Sequence, residues 1–244
     1  MPEALLETRD LSRRFGALAA VDGVSLSFAE GRVHAVIGPN GAGKSTFLNL
    51  LSGELRATSG RVFFRGQELT RATPDRISRL GIARSYQSAN VFAELSCGEC
   101  VWLASHSRAR TLVFPSARVA ERARRALATC GLAERAGVRA RQLSYGEQRQ
   151  LEIGMILATD PQIFLLDEPL AGLGHDEAQR IVALLQELAR RHTIVLVEHD
   201  MDAVFSIADT ITVLVDGRVL ESGAPDFIRQ SERVREAYLG SDAP

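Results

Sequence analysis

Short apolar runs alternate with amphipathic stretches along most of this 244-residue chain. Apolar runs bounded by turn residues predict buried strands over residues 33–37, 163–166 and 193–197. Between the last two runs, apolar residues fall on one face of a predicted helix over residues 177–190. Strands that are apolar at nearly every position and alternate with helices are typical of a parallel sheet covered on both faces. This pattern predicts an α/β fold.

Further elements are predicted on both sides of these strands. The additional strands cover residues 5–11, 24–28 and 61–64, and an additional helix covers residues 45–55. Arg65-Gly66 and Asp216-Gly217 each predict the turn of a β-hairpin. Between residues 88 and 142 the strand signals vanish, and alanine- and arginine-rich helical patterns replace them. This shift predicts a helical lobe attached to the α/β core.

The composition excludes several classes of protein. With 45% hydrophobic and 24% charged residues, the chain is neither disordered nor fibrous. A formal net charge of -1 leaves no broad basic face, which argues against a nucleic-acid partner. The longest apolar runs have five residues, whereas a membrane-spanning helix needs about 20. The start, Met1-Pro2-Glu3, has no basic leader, so we expect a soluble chain that stays in the cytoplasm.

One lysine stands out, because 28 of the 29 cationic side chains are arginine and only Lys44 is lysine. Lysine offers a compact, flexible ammonium where arginine offers a planar fork. Lys44 belongs to a Gly-x-x-x-x-Gly-Lys-Ser motif that directly follows a predicted strand and precedes a predicted helix, as a phosphate-binding loop requires. The motif consists of Gly38, Pro39, Asn40, Gly41, Ala42, Gly43, Lys44 and Ser45.

The chemistry of such a loop assigns roles to its last two residues. Backbone N–H groups surround the phosphates, and the following helix presents its positive end. Lys44 is predicted to reach the β- and γ-phosphates, and the Ser45 hydroxyl to ligate Mg²⁺. The alternative, a glycine-rich turn that binds nothing, would not explain the single lysine.

Two acids, Asp167 and Glu168, follow the predicted strand at residues 163–166. The carboxyl ends of strands in an open α/β sheet form its ligand-binding edge. Adjacent residues on a strand point to opposite sides, so the two acids need different roles. We expect Asp167 to hold the metal and Glu168 to polarise an attacking water as a general base. The alternative is a strand end that is acidic by chance.

The cysteines and most histidines are weaker candidates. Cys97 and Cys100 form a C-x-x-C pair, a possible redox pair or half of a zinc site, but no second pair completes a ligand set. Cys130 continues an apolar helical stripe and is expected in the core. The histidines expected to be structural or exposed are His34, His106, His175 and His192.

A family resemblance follows from a peptide just before the acid-bearing strand. Residues 143–148, Leu-Ser-Tyr-Gly-Glu-Gln, resemble the signature peptide, usually Leu-Ser-Gly-Gly-Gln, of the ATP-binding-cassette (ABC) ATPases. Gln87 resembles the glutamine of the family's Q-loop, and His199 resembles its switch histidine. Phe15 lies where the family places an aromatic residue that stacks on adenine. The resemblance extends from about residue 5 to residue 240.

The resemblance implies a P-loop NTPase core with a mainly parallel sheet, an N-terminal antiparallel β subdomain and an inserted α-helical subdomain. It implies one nucleotide-binding domain over residues 1–244, with the helical subdomain at about residues 88–157. The implied catalytic residues are Glu168, His199 and Gln87, and the implied Mg²⁺ ligands are Ser45, Gln87 and Asp167. ATP would contact Phe15, the loop at residues 38–45 and Thr46. The residues implied to contact the ATP of the opposite subunit are Ser144, Tyr145, Gly146 and Glu147.

The sequence departs from the usual family pattern at two places. Tyr145 and Glu147 replace the usual residues of the signature, whereas Ser144 and Gly146 are retained. Gly174 stands where the family usually has an aspartate, which leaves the communication between the two sites of a dimer open.

Four further segments resemble the ATPase subunits of importers for branched-chain amino acids, urea and related amides. These segments are residues 151–154, 171–173, 198–201 and 236–240. The resemblance implies two membrane permease subunits, a second ATPase subunit that is either the same chain or a related one, and an external substrate-binding protein that acts indirectly. It places the chain on the inner face of the cell membrane.

The predicted helical lobe carries two surfaces that each have two interpretations. Its basic run is typical of a solvated helix face, or it faces anionic lipid or the membrane subunit. This run consists of Arg118, Arg122, Arg124 and Arg125 with Glu121. Trp102 and Phe92 either pack inside the lobe or form a groove for a helix of a membrane subunit, and Trp102 is expected in the core.

Two other functions remain as alternatives. A soluble ABC-type ATPase of DNA repair or translation usually carries a long coiled coil or a second cassette, and this sequence has neither. A kinase built on the same phosphate-binding loop would leave Ser144, Gly146 and His199 unexplained.

Overall fold

The computed structural model describes residues 4–86, 90–107 and 117–239. The strands within these ranges are β1 (Ala4–Phe15), β2 (Leu18–Ala29), β3 (Val33–Ile37), β4 (Ser59–Phe64), β5 (Gln67–Glu68), β6 (Ile82–Arg84), β7 (Ile163–Asp167), β8 (Thr193–Val197), β9 (Thr210–Val215) and β10 (Arg218–Gly223). The helices within them are α1 (Lys44–Leu51), α2 (Pro74–Leu80), α3 (Cys97–His106), α4 (Ala117–Thr129), α5 (Tyr145–Ala158), α6 (His175–Ala189), α7 (Met201–Ile207), α8 (Pro225–Gln230) and α9 (Glu232–Leu239). None of these helices is long and apolar enough to cross a membrane.

The larger sheet has the strand order β10-β9-β3-β8-β7-β6. Its pairs from β9 to β6 are parallel, and β10 pairs with β9 antiparallel. Every residue of β3, β7 and β8 is buried. Along β7, Phe164 and Leu166 pack in the same core as Ile181 of α6, whereas Leu165 packs in the core that contains Leu48 of α1. Because helices cover both faces, these strands are apolar at nearly every position, and the predicted α/β class is confirmed.

The smaller sheet is antiparallel and has the strand order β2-β1-β4-β5. Leu6 and Leu11 of β1 share a core with Phe47 and Leu51 of α1. Helix α1 therefore packs between the two sheets, and the loop that precedes it lies where they meet. This arrangement confirms the antiparallel N-terminal subdomain.

The ends of several elements differ from the prediction. Helix α1 ends at Leu51 rather than at residue 55, because Gly53 adopts a left-handed conformation with a φ of 75°. Strands β1 and β2 have 12 residues each, longer than predicted, because they pair with each other as a hairpin. The φ angles of Arg65 and Asp216 are both 49°, and each is followed by a glycine with positive φ, which confirms the two hairpin turns.

Helices α3, α4 and α5 pack around a core of their own. Cys97 and Cys100 are buried in it, and Cys97 Sγ donates a hydrogen bond to the carbonyl oxygen of Val138 at 3.2 Å. Burial raises the pKa of both thiols. Cys130 is buried as predicted, which raises its pKa to about 12. Both side chains of the C-x-x-C pair are fully buried, so the pair is part of this core. Within the described ranges no cluster of His, Cys, Asp and Glu could hold a metal ion.

The two uncertain surfaces of the lobe have different surroundings. Arg124 and Arg125 form ion pairs with Glu121 on the exposed face of α4. Trp102 is partly buried against the lobe core and stacks on His106, with ring centroids 5.2 Å apart. Phe92, in contrast, has 48% of its surface exposed.

Candidate nucleotide-binding site

The glycine-rich loop connects β3 to α1 and passes close to neighbouring backbone. A Cβ atom on Gly38, whose φ is 151°, would lie 2.1 Å from the carbonyl oxygen of Leu214. A Cβ on Gly43, whose φ is 95°, would lie 2.1 Å from the carbonyl oxygen of Ala20. Gly43 also precedes α1 and has no side chain with which to cap it, so the N–H groups of the first turn can meet an anion. Backbone contact therefore requires glycine at both positions.

Lys44 is largely buried inside this loop. Its side-chain ammonium donates hydrogen bonds to the carbonyl oxygens of Gly38 at 2.7 Å and Pro39 at 3.0 Å. Burial lowers the pKa of Lys44, while the nearby carboxylates of Glu168 and Asp167 oppose this effect. The single lysine therefore places its charge inside the loop, where a phosphate group would be bound.

A cleft of about 400 Å³ lies over the loop. Of the predicted residues, those that line it are Phe15, Asn40, Gly41, Ala42, Gly43, Lys44, Ser45, Thr46 and Glu168. Leu18 and Ala20 of β2 also line it, although the sequence analysis missed them. They share one face of β2, and Leu18 pairs with Phe15 across the hairpin, so strand alternation could have found them.

Asp167 lies at the carboxyl end of β7 and is buried. Its Oδ1 accepts a hydrogen bond from Ser45 Oγ at 3.2 Å, and its Oδ2 accepts one from Arg84 Nη2 at 3.2 Å. Burial raises the pKa of Asp167, and Arg84 and Ser45 oppose this effect. Hydroxyl and carboxylate oxygens are ligands that Mg²⁺ prefers, so this pair fits that ion. Arg84 was missed, because an arginine at the end of a short strand carries no distinctive signal.

Glu168 follows Asp167 and faces the same cleft as Lys44. Its φ is 48°, a left-handed conformation that is uncommon outside glycine and is often found at functional sites. Its backbone N–H donates a hydrogen bond to the carbonyl oxygen of Val197, at the end of β8, at 2.9 Å. His199 lies in the loop that follows β8, and its Nδ1 is 3.9 Å from Glu168 Oε1. Two adjacent parallel strands thus bring the predicted base and the predicted histidine together.

Glu198 connects the loops that follow these two strands, and the sequence analysis included it in a segment of family resemblance without giving it a role in the site. It is buried, and its carboxylate accepts hydrogen bonds from the backbone N–H of Leu170 at 2.7 Å and of His199 at 3.0 Å. Burial raises the pKa of Glu198, and these backbone donors oppose the effect. Glu198 therefore fixes the His199 backbone relative to the loop after Glu168.

The four signature residues lie at the start of α5 and do not line the cleft over the loop. Ser144 is the N-cap residue, and its hydroxyl accepts a hydrogen bond from the Glu147 N–H at 3.2 Å. The Glu147 carboxylate accepts one from the Ser144 N–H at 2.9 Å, which completes a capping box. Tyr145 is 42% exposed, whereas Gly146 is buried. Gln87, the remaining predicted residue, lies outside the described residues.

The other histidines have structural neighbours. His34 contacts the ring of Phe28 edge-on, and its Nε2 lies 3.3 Å from the Ala29 carbonyl oxygen. His192 Nδ1 lies 2.8 Å from the Pro161 carbonyl oxygen. The Nε2 of His175 lies 2.8 Å from the Gln179 amide nitrogen.

The parallel sheet, the glycine-rich loop with its buried lysine, and the acids at the end of β7 define a P-loop nucleotide-binding cassette. A family model described as "ABC transporter" matches residues 21–171. A second model, described as "Branched-chain amino acid ATP-binding cassette transporter", matches residues 218–244. The chain belongs to the ABC transporter ATP-binding family.

Curated relatives match nearly the whole chain. It is similar to the high-affinity branched-chain amino acid transport ATP-binding protein LivG of Escherichia coli, with 39% identity over 98% of this chain and 99% of LivG. The corresponding protein BraF of Pseudomonas aeruginosa has the same identity and coverage. A solved ATP-binding cassette of an ABC transporter in its ADP conformation has a TM-score of 0.87 and 30% identity, covering 97% of this chain and 99% of that one.

Proposed function

We propose that this chain hydrolyses ATP as the energising subunit of a membrane importer for branched-chain amino acids. The observation that carries the proposal is that Glu168, in its left-handed conformation, faces the cleft of Lys44 and lies 3.9 Å from His199. The match of residues 218–244 and the names of the relatives favour branched-chain amino acids over urea or related amides as the transported substrate.

Each side chain of the cleft has a role in this proposal. Phe15 would stack on the adenine, and the loop N–H groups with Lys44 would balance the charge of the phosphates. Ser45 and Asp167, together with Gln87, would hold Mg²⁺, which supplies Lewis-acid polarisation of the phosphate oxygens when bound. Glu168 would accept a proton from the attacking water, and His199 would hold that carboxylate in place.

A second ATPase subunit would complete each site. A solved ATP-binding cassette with a TM-score of 0.79 and 26% identity is described as a dimer in a post-hydrolysis state bound to ADP and phosphate. In this chain Ser144 and the start of α5 lie outside the lining of the cleft. A partner's ATP is therefore the anion that we propose they contact.

A larger cleft is proposed to dock a permease subunit. It has a volume of about 540 Å³ and lies between the sheet edge at β6 and the helical lobe. Phe92, Leu103 and Tyr86 line it and are each more than two fifths exposed. Arg84, which contacts Asp167, lines it as well. A permease segment in this cleft would therefore be separated from Asp167 of the ATP site by Arg84 alone. Binding of that segment would hold the chain at the inner face of the membrane.

The function can be tested on the complete complex. The chain would be purified with the two permease subunits that we expect its neighbouring genes to encode, and it would be reconstituted in vesicles with the binding protein. We expect ATP-dependent uptake of leucine, isoleucine or valine that is lost with Lys44→Ala. ATP hydrolysis without such uptake, or uptake of urea instead, would refute the proposed substrate, and absence of ATP hydrolysis would refute the proposed function.

Docking is tested separately with Leu103→Glu. We expect this variant to lose copurification with the permeases while the isolated chain still binds ATP. Phe227→Glu is the matched control, because Phe227 is 54% exposed but does not line the cleft. Equal copurification of the two variants would exclude this cleft as the docking site.

A further inference from the structure

A buried ion pair lies on the first turns of the signature helix α5. Arg149 Nη1 and Glu152 Oε2 are 2.8 Å apart, and the exposed fractions of the two side chains are 0% and 5%. Removing two charges from water costs several kcal/mol for each ion, so a buried pair is weak evidence of a purely stabilising role. Its other contacts indicate what it holds in place.

Both members of the pair bind the same backbone segment, more than sixty residues earlier in the chain. Arg149 Nη1 donates a hydrogen bond to the Tyr86 carbonyl oxygen at 2.8 Å. Glu152 Oε1 accepts one from the Tyr86 N–H at 3.2 Å, and the Glu152 carboxylate also accepts one from the Asn90 backbone N–H. Tyr86 and Asn90 directly flank residues 87–89. The pair thus binds the backbone at Tyr86 and at Asn90, which precede and follow Gln87 in the sequence.

Arg149 also contacts the signature segment. Its Nη2 donates a hydrogen bond to the Tyr145 hydroxyl at 3.3 Å, and its guanidinium lies 5.8 Å from the centre of the Tyr145 ring. The Tyr145 ring in turn packs against the loop after Glu168, since a Cβ on Gly172 would lie 3.3 Å from it. One guanidinium therefore contacts both Tyr145 and the Tyr86 peptide group.

We propose that Arg149 and Glu152 are positioning residues that couple the signature segment at Tyr145 to the backbone at Tyr86 and Asn90, which flank Gln87 in the sequence. The coupling rests on the proposed function, because it assumes that the signature meets a partner's ATP. Movement of Tyr145 when a partner binds would shift the guanidinium, and the guanidinium is bound to Tyr86. The state of one ATP site would thus reach the other through a path within a single chain.

Amide hydrogen exchange tests this coupling, with Glu168→Gln as the background because we expect that variant to retain ATP in a stable dimer. We expect ATP-driven dimerisation to slow exchange at Tyr86 and Asn90 by about tenfold beyond the direct effect of ATP. The direct effect is measured in a chain with Ser144→Arg, which should bind ATP without dimerising.

Two variants should remove the extra protection. Tyr145→Phe deletes only the hydroxyl that accepts from Arg149. Arg149→Lys keeps the charge opposite Glu152, but one ammonium cannot span Tyr86, Glu152 and Tyr145 as the fork does. We expect the extra protection at Tyr86 and Asn90 to fall below about twofold in both. Arg125→Lys, which alters an exposed ion pair in the same lobe, is the control and should keep it.

The ratio of exchange rates separates coupling from a structural role. A pair that only stabilises the fold would, when weakened, raise exchange equally with and without dimerisation, so that the ratio stays at its parental value. If both variants form dimers and keep the parental ratio, the coupling is refuted, whereas the proposed function is not. If the background chain fails to dimerise with ATP both by itself and with a related ATPase subunit, the proposed function fails, and the coupling fails with it.

Discussion

The hydroxyl of Ser144 donates a hydrogen bond to the carboxylate of Glu177, with Oγ and Oε1 3.2 Å apart. Glu177 lies in the first turn of α6, and its carboxylate also packs against Gly146, where a Cβ would come within 2.6 Å of it. A negative charge of the same chain therefore occupies the side of α5 at which we propose a partner's phosphate to bind. Phosphate and carboxylate repel each other, so Glu177 must move or be screened when the dimer forms.

Neutralising Glu177 should strengthen the ATP-bound dimer. In the Glu168→Gln background, we expect Glu177→Gln to lower the dimer dissociation constant by about tenfold, measured by sedimentation at saturating ATP. Asp176→Asn is the matched control, because Asp176 is a neighbouring acid in the same helical turn. Among the contacts that the structure describes, Ser144 binds Glu177 and not Asp176. If both variants or neither changed the constant, the Ser144–Glu177 contact would not limit dimerisation.

Replacing Glu168 with glutamine should separate binding from hydrolysis. Glu168→Gln keeps the shape of the side chain but removes the proposed base, so we expect turnover to fall by about 10² or more while ATP affinity stays within about twofold. Turnover by phosphate release and affinity by equilibrium titration would be measured on the same preparation. Near-normal turnover would remove Glu168 from the catalytic role.

The phosphate-binding loop was predictable because its evidence is local. Gly38, Gly43 and Lys44 form a motif of fixed spacing, and the flanking strand and helix are visible in the apolar pattern. The parallel sheet around this loop was predictable from the apolar pattern, since β3, β7 and β8 are apolar at nearly every position.

The residues that hold the site together were not predictable in this way. Arg84, Glu198 and the Arg149–Glu152 pair are charged residues that look like ordinary surface positions in the sequence. Each also has a partner 28 to 83 positions away, so only the fold reveals that they are buried and what they contact. The left-handed φ of Glu168 is likewise imposed by its tertiary setting, because glutamate does not favour it.

The single lysine should resist replacement by arginine. Lys44→Arg keeps the charge but places a planar fork where a compact ammonium lies 2.7 Å and 3.0 Å from two carbonyl oxygens, so we expect ATP affinity to fall by at least about tenfold. Titration with a fluorescent ATP analogue measures this. Arg65→Lys, an exposed exchange at a hairpin turn, is the control. Unchanged affinity in Lys44→Arg would make the single lysine an accident of composition.

His34 should make the stability of the fold depend on pH. Burial lowers its pKa from the usual value near 6.5, although the Ala29 carbonyl and Asp209 oppose this effect. The folded chain therefore binds fewer protons than the unfolded chain just below pH 6.5, so stability declines as the pH falls through that range, by at most about 1.4 kcal/mol per pH unit. Thermal unfolding at pH 7.5 and pH 5.5 should show a smaller decline for His34→Gln than for the parent chain.

The control for this measurement is His175→Gln, which removes an exposed histidine. The two variants should differ, because only His34 is buried against Phe28 and the Ala29 carbonyl. An equal decline in His34→Gln, His175→Gln and the parent would show that protonation of His34 does not oppose folding.

Sharing of each site between two chains can be tested by mixing defective variants. Ser144→Arg places a bulky cation at the start of α5, and Lys44→Ala empties the loop of its ammonium, so neither chain alone should hydrolyse ATP. In a mixed dimer, one composite site carries both defects and the other carries neither. Because neither variant is expected to form an ATP-bound dimer with itself, the dimers that form should be mixed, and we expect up to about half of the parental turnover, since one of the two sites in each mixed dimer works. Each variant mixed with the parent chain gives the reference.

The parental rate should also rise faster than linearly with protein concentration. No recovery in the mixture, together with a rate strictly proportional to concentration, would indicate a complete site within one chain or an obligatory different partner. The ATPase activity of the monomer distinguishes these two results, because a complete site leaves the monomer active, whereas a missing partner leaves it inactive until that partner is added.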